Sequence, residues 1–399
     1  MTKLGENTIG ACGLPPFFEV ANPSEMGISA PENRKGDALR TFIHSLSGFQ
    51  KEALVTSART GATWRLVSDE GAYLNGHDAA PCPLAFLTTG MISSYMNEIL
   101  ALARKQNVEI RKLKLIQDNY YTMKGSMLKR TMIGGAEPVE LTVEIDCGLD
   151  DGELGTFLAN AIHASPLNGL MREQLDSLFK LSKNGQELPT ARVAEMKAPL
   201  LRNPVELVDT VAAKFSDLTL LESVGPTPKK DVAKGTSESG SSLASEQDRR
   251  LNIGAIATLR EDGIKEIQQM TYSPYGTNFC LLSEEAPVNG GHGRAPDAYT
   301  YISAGIGFCF MTQFGRFVEI LKLDLPKYQI LQDTHFSLGG ASGDTGKAGT
   351  ADPVETHVYL ETSEPDSMAQ EMLDISEQTC FLHALCRSEL KTRLRVKRA

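Results

Sequence analysis

The chain has seven cysteines (Cys12, Cys82, Cys147, Cys280, Cys309, Cys380 and Cys386), odd in number and scattered through 399 residues, unlike a disulfide framework. A cysteine that is not a structural staple can be a nucleophile, a metal ligand or a small buried apolar residue. Two of them carry positional signals. Cys309 lies at the centre of an apolar stretch from Pro296 to Leu321, and Cys380 sits in Thr379-Cys380-Phe381-Leu382-His383. Cys380, His383 and Cys386 share one-turn spacing that could suggest a metal, but no second Cys/His cluster accompanies them.

An internal repeat separates these thiols from the other five. Subtracting 215 from positions in the second half lands on matching residues in the first, without a gap from about Trp64 to Arg172. Ser68, Glu70, Gly76, His77, Pro81, Gly90 and Met96 meet Ser283, Glu285, Gly291, His292, Pro296, Gly305 and Met311. Gln117, Asp118, Gly125, Pro138, Val139, Glu140 and Val143 meet Gln332, Asp333, Gly340, Pro353, Val354, Glu355 and Val358. At two positions cysteine meets serine: Cys309 matches Ser94, and Cys380 matches Ser165. Serine keeps shape and polarity but does not form a nucleophilic anion near neutral pH, whereas a thiol can.

The elements that must position these residues follow from the same pattern. Residues 296–321 are apolar on every side, as in a helix enclosed by other elements, with Gly305, Gly307 and Gly315 allowing another backbone close approach. The first repeat reads as strands at Ala53–Ala58 and Ala62–Ser68, a helix from about Pro83 to Arg104, strands at Val108–Tyr121 and Val139–Cys147, and a helix from Asp151 to near Ala164. Strands in the second repeat are expected near 252–259, 264–271, 276–282, 325–338 and 354–362. This order predicts an α+β fold with largely antiparallel sheet. Ser165-Pro166 has the form of an N-cap followed by proline, so a short helix should start there, and transfer to the second repeat puts Cys380 at a helix N-terminus that favours its thiolate. Ser363 and Asp366 fit a capping box for the helix bearing Met368, Met372, Ile375 and Thr379. Between the repeats, Leu170, Leu175, Leu178, Phe179 and Leu181 read as helix continuing to Asn184-Gly185, Pro204 to Phe215 as another helix, and Gly225 to Asp248 as a flexible linker. The resulting division is a leader (1–36), a first repeat (37–173), a connection (174–249) and a second repeat (250–399).

The element order, a Cys inside the long central helix and a second Cys near the end of the next helix resemble the OsmC and organic hydroperoxide resistance (Ohr) family. Ser165-Pro166-Leu167-Asn168 resembles the family's Cys-Pro-x-Ser segment with the Cys lost, while the Cys380 segment keeps the Cys and lacks the Pro. The resemblance implies two α+β domains, each an antiparallel sheet packed with a long central helix, that form an intrachain pseudo-dimer. It implies a cysteine-based peroxidase in which the Cys309 thiolate attacks peroxide and Cys380 closes a disulfide that an external dithiol reduces. It also implies an arginine in the first hairpin beside the thiolate. Arg260, in Leu259-Arg260-Glu261-Asp262-Gly263, is the matching residue, with Ser45 as its counterpart; the bland alternative is a solvated turn arginine. Tyr299 stands roughly where the family has a glutamate, Asp297 is the nearest carboxylate, and these two with Phe308 are the candidate substrate-binding residues. No metal or organic cofactor is required.

Composition narrows the partners. A formal net charge of −10 argues against nucleic acid or anionic membrane, since both reward a basic face. No apolar run reaches the roughly 18 residues needed to span a bilayer, and no secretory signal opens the chain, so a cytoplasmic protein is expected. The basic run Lys391 to Arg398 reads as a solvated tail. A competing reading is a non-catalytic protein that holds a small hydrophobic ligand beside the central helices. Partners under the first reading are a peroxide and a dithiol reductant, with assembly beyond the pseudo-dimer open.

Overall fold

A computed structural model describes residues 5–205, 211–226, 241–271 and 276–399. In chain order the first half contains α1 (Thr8–Ala11), β1 (Phe18–Glu19), β2 (Gly36–Ser45), β3 (Lys51–Ser57), β4 (Thr63–Ser68), α2 (Pro83–Gln106), β5 (Ile110–Ser126), β6 (Ile133–Ala136), β7 (Glu140–Cys147), α3 (Asp151–Ala164) and α4 (Gly169–Arg172). The strands β8 (Leu178–Lys183), β9 (Gln186–Leu188), β10 (Ala194–Glu195) and β11 (Leu221–Pro226) follow. The second half runs β12 (Glu246–Leu259), β13 (Lys265–Thr271), β14 (Thr277–Ser283), α5 (Ala298–Leu321), β15 (Lys327–Ser337), β16 (Glu355–Glu361), α6 (Asp366–Thr379), α7 (Phe381–Cys386) and β17 (Arg393–Arg398). Three pairs of elements, α2 with α5, α3 with α6 and β8 with β17, begin and end 215 positions apart, so the sequence offset is also a structural one.

Each sheet is built from both repeats. One has the order β1-β4-β3-β2-β15-β16-β8-β10, with β9 on β8; the other has β11-β14-β13-β12-β5-β7-β17, with β6 on β5. The joins are long antiparallel pairings, β2 against β15 and β12 against β5. Neither repeat could close its sheet alone, because the partner strand comes from the other half of the chain. The α+β expectation and the intrachain pairing of the two repeats therefore agree with the structure.

The two central helices cross at Gly90 of α2 and Gly305 of α5, which are themselves 215 apart. A Cβ at Gly90 would press on Ile302 and stand 2.7 Å from the Ala298 carbonyl, and one at Gly305 would stand 2.9 Å from Cβ of Phe86 and 3.0 Å from N of Leu87. The missing side chains let two backbones meet, and one continuous core forms around them, from Phe86 and Met91 to Phe308 and Phe314. A smaller apolar cluster (Phe18, Val20, Phe42, Leu54, Leu331, Tyr359) lies on the first sheet and is covered by Leu200, Leu201, Val205 and Val211 of the connection.

Several expectations need correction. The stretch Leu170 to Leu181 is not one helix: α4 ends at Arg172, and Leu178–Lys183 is a strand parallel to β16. Its counterpart β17 is parallel to β7, so the basic C-terminus is a sheet strand, with Arg393 and Arg395 paired to Glu140 and Lys397 to Glu144. Of the helix expected at Pro204 to Phe215, residues 206–210 lie outside the described residues, and Ala213 forms a β-bridge with Val20. Of the linker expected at Gly225 to Asp248, residues 227–240 lie outside them, and β12 already begins at Glu246. The capping box at Ser363 does not form; Pro365 is the N-cap of α6, and Ser363 hydrogen-bonds Asp324.

Because Gly90 meets backbone across the crossing, Gly90→Ala should lower stability by about 1–3 kcal/mol. Gly155, in α3 with open space around it, is the control: Gly155→Ala should raise stability by about 0.5–1 kcal/mol. Urea midpoints of the two variants against the parent chain check both signs.

Candidate functional site

The helix crossing brings Cys309, in the middle of α5, beside the start of α7. Cys380 is the residue that joins α6 to α7, and its Sγ donates a hydrogen bond to Sγ of Cys309 at 3.5 Å. Both sulfurs are buried, Cys309 2% exposed and Cys380 0%, and both are free thiols. The first repeat keeps the same arrangement with oxygen: Ser94 and Ser165 hydrogen-bond at 2.8 Å. One geometry thus occurs twice, once with thiols and once with hydroxyls.

Burial pushes the Cys380 thiol well above its usual range, and donation to Cys309 adds to this. The N–H groups of Leu382 and His383 oppose it. The helix N-terminus is where the sequence places it, yet the sulfur makes no capping hydrogen bond of normal geometry and desolvation outweighs the amides. Cys380 is therefore a proton donor here. The His383 ring turns away to pack on Phe310 and Phe179 at centroid distances of 4.8 and 5.6 Å, so Cys380, His383 and Cys386 do not converge.

Cys309 forms part of the wall of a cavity of about 40 Å³. Its apolar walls are Leu74, Pro83, Leu84, Leu251, Ile253 and Phe381, and its polar groups include Glu70, Tyr73, Thr312, Gln313, Arg249 and Arg316. Glu70 comes from the other repeat. It accepts from Thr312 Oγ1 at 2.9 Å and from Tyr73 OH at 2.5 Å, and burial raises its carboxyl against the pull of Lys51. Lys51 is itself buried, donates to the Phe49 carbonyl at 2.5 Å and is lowered by desolvation.

Arg316 stands seven residues after Cys309, two turns along the same helix face. Its Nε and Nη2 donate to the Ser242 carbonyl at 3.1 and 3.0 Å and its Nη1 to Gln313 Oε1 at 2.6 Å, while Gln313 donates to the Cys309 carbonyl at 3.4 Å. Arg249 also reaches Ser242, through its Oγ. Burial brings the Arg316 guanidinium down to about 9, with Arg249 adding to the fall and Glu70 and Cys309 opposing it.

The structure does not bring the other sequence-derived residues here. Arg260 lies at an exposed hairpin turn, pairs with Asp262 at 3.3 Å and lines a different recess with Cys280 and Glu266. Its matching also shifts: Leu46 N–H to Gln50 O and Arg260 N–H to Ile264 O are equivalent hydrogen bonds, so the offset in this hairpin is 214 (260 − 46) and the counterpart is Leu46, not Ser45. Phe308 packs edge-on against Phe86 at 5.0 Å in the helix crossing. Asp297 and Tyr299 sit at the start of α5, near Asp37 and Glu285, while it is the start of α2 (Cys82, Pro83, Leu84) that lines the Cys309 cavity. Arg316, Thr312 and Gln313 escaped the sequence reading, although polar residues at helical spacing after Cys309 in so apolar a helix were a usable signal. Glu70 and Ser242, remote in sequence, gave none.

Comparison with known proteins agrees with part of this picture. Residues 291–395 match the family model described as OsmC-like protein, so this part of the chain carries an OsmC-like domain. Among curated proteins no relative matches. A solved structure, an OsmC-like hydroperoxide resistance protein from Jannaschia sp. CCS1, is 19% identical, covers 32% of this chain and 79% of its own, and superposes with a TM-score of 0.19. Among the described residues no helix is long and apolar enough to cross a membrane.

Asp297 caps α5 through Thr300 N–H at 2.8 Å, and burial beside Glu285 and Asp37 raises its carboxyl to about 7; burial raises Asp37 to about 6. Each holds a proton in the folded state that the unfolded chain has already released, so between about pH 4 and 7 stability should fall as pH rises. Asp297→Asn, which keeps the cap acceptor, should flatten that slope by roughly 1–2 kcal/mol between pH 5 and 7, read from urea unfolding at the two pH values.

Proposed function

Taking the OsmC-like domain at residues 291–395 as the premise, we propose that the chain is a thiol peroxidase working through Cys309 and Cys380. The observation that carries this reading is the 3.5 Å contact between two buried free thiols where the other repeat has a contacting pair of serine hydroxyls. The cavity supports it: at about 40 Å³, with about 10–15 Å³ for each water-sized space, it has room for a hydroperoxy group beside Cys309. Its apolar walls suit an organic hydroperoxide, and hydrogen peroxide also fits.

In the proposed cycle the Cys309 thiolate attacks the terminal peroxide oxygen, and the O–O bond breaks. Cys309 becomes a sulfenic acid and an alkoxide leaves. The alkoxide takes the proton of Cys380, whose thiol burial keeps protonated, and departs as the alcohol. The Cys380 thiolate so formed attacks the Cys309 sulfur and expels hydroxide, closing the disulfide; the proton that Cys309 gave up when it ionised converts that hydroxide to water. An external dithiol then exchanges both sulfurs back to thiols, its own pair becoming oxidised. Cytoplasmic placement and the external dithiol belong to this proposal.

Peroxide consumption with a dithiol reductant tests the reading. Cys309→Ser should abolish turnover, and Cys380→Ser should permit one oxidation per chain and then stall. Ser94→Ala should leave the rate within about twofold, because the hydroxyl pair has no redox chemistry. Turnover that survives in Cys309→Ser would reject the assignment.

A further inference from the structure

Comparing the two halves of the pseudo-dimer separates groups that serve the fold from groups that serve one site. The buried pair Lys51 and Glu70 has an equivalent in Lys265 and Glu285, whose Nζ and Oε1 lie 3.7 Å apart. Both halves keep that pair, so it does not distinguish the thiol site. Three changes do. Cys309 becomes Ser94, Cys380 becomes Ser165, and Arg316 becomes Ala101. A buried guanidinium in one half and a methyl in the other, on the same face of the same helix as the exchanged thiol, is a third member of one set.

We infer that Arg316 is the positioning residue that favours the Cys309 thiolate, in place of the hairpin arginine Arg260, and that Ser242 of the connection holds it there. The inference rests on the thiol-peroxidase reading for its function but not for its geometry. Arg316 is 1% exposed, and its hydrogen-bond acceptors are neutral: the Ser242 carbonyl, Gln313 Oε1 and the Met132 sulfur. A buried cation held only by dipoles keeps a strong field for a nearby anion, since little of its charge is neutralised locally. Its charge persists at neutral pH. The two carbonyl contacts at Ser242 fix the fork from the side of the connection, and Gln313 ties the fork to the backbone of Cys309.

Other ionisable groups line this cavity (Arg249, Glu70, Cys82 and Tyr73) or interact with Cys309 from outside its lining (Lys51, Cys380 and Tyr121). Cations are Lys51 from β3 and Arg249 from β12; Glu70, from the loop after β4, opposes them. The thiols Cys82 and Cys380 and the phenols Tyr73 and Tyr121 are all raised by burial and remain protonated near neutrality. Lys51 and Glu70 recur in the other half, and Arg249 is matched there by Lys35, another cation. Arg316 is the cation that the hydroxyl site lacks.

The experiment compares the parent chain with Arg316→Met and, should that variant not fold, Arg316→Gln. Folding is checked by circular dichroism. Two rates are followed across pH 6 to 10: iodoacetamide alkylation of the Cys309 peptide by mass spectrometry, and peroxide consumption. The expected result is a fall of about tenfold or more in both at pH 7, closing as pH rises and the thiol ionises without help. Equal alkylation profiles in parent and folded variant would overturn the role of Arg316 while leaving the peroxidase reading intact. A parent chain that consumes no peroxide, yet whose Cys309 alkylation still depends on Arg316, would sink the peroxidase reading and uphold the coupling.

Discussion

The close crossing of α2 and α5 at Gly90 and Gly305 is the constraint on which the rest depends. Two backbones can approach so nearly only where neither carries a side chain, and the internal repeat supplies glycine at both equivalent places. Once the helices cross there, the start of each lies beside the middle of the other. Cys309 therefore shares a cavity with Cys82, Pro83 and Leu84 of the other repeat, and the loop carrying Glu70 comes with them. The exchanged strands follow the same logic, since β2 must pair with β15 and β12 with β5 for the sheets to wrap the crossed helices. A site assembled this way belongs to neither repeat.

Burial then assigns the chemistry. Desolvation raises Cys380, Cys82, Tyr73 and Glu70, and lowers the bases Lys51 and Arg316. The resulting interior holds protons on Cys380, Cys82 and Tyr73 and retains positive charge on Arg316. In the other half the same frame holds Ser94, Ser165 and Ala101, and the cap position of Cys82 is taken by Asp297. The internal repeat thus gives two frames, one holding a contacting pair of thiols and the other a contacting pair of hydroxyls.

Much of the fold was legible because its signal is local and repeated. The apolar run after Pro296 became α5 at Ala298–Leu321, and the alternation of Val139, Leu141, Val143 and Ile145 became β7. The strand β8 was missed because Leu175, Leu178, Phe179 and Leu181 also fit a helical spacing, and only pairing with β16, far away in sequence, decides between the two. The thiol pair could be picked out from the repeat, since an exchange of Cys for Ser at equivalent positions is visible without coordinates. Its surroundings could not. Arg260 was selected by hairpin resemblance and lies elsewhere, while the groups around Cys309 come from far earlier in the chain: Ser242 lies 74 positions before Arg316, and Glu70 lies 242 positions before Thr312. Long-range contacts of that kind leave no periodicity to read.

The most direct measurement is a thiol count and peptide map after one equivalent of peroxide in the absence of reductant. Two free thiols should disappear per chain, and the peptides carrying Cys309 and Cys380 should be joined, with Cys82, Cys280 and Cys386 still reduced. A link from Cys309 to any of those three, or no loss of thiols at all, would contradict the role given to the buried pair.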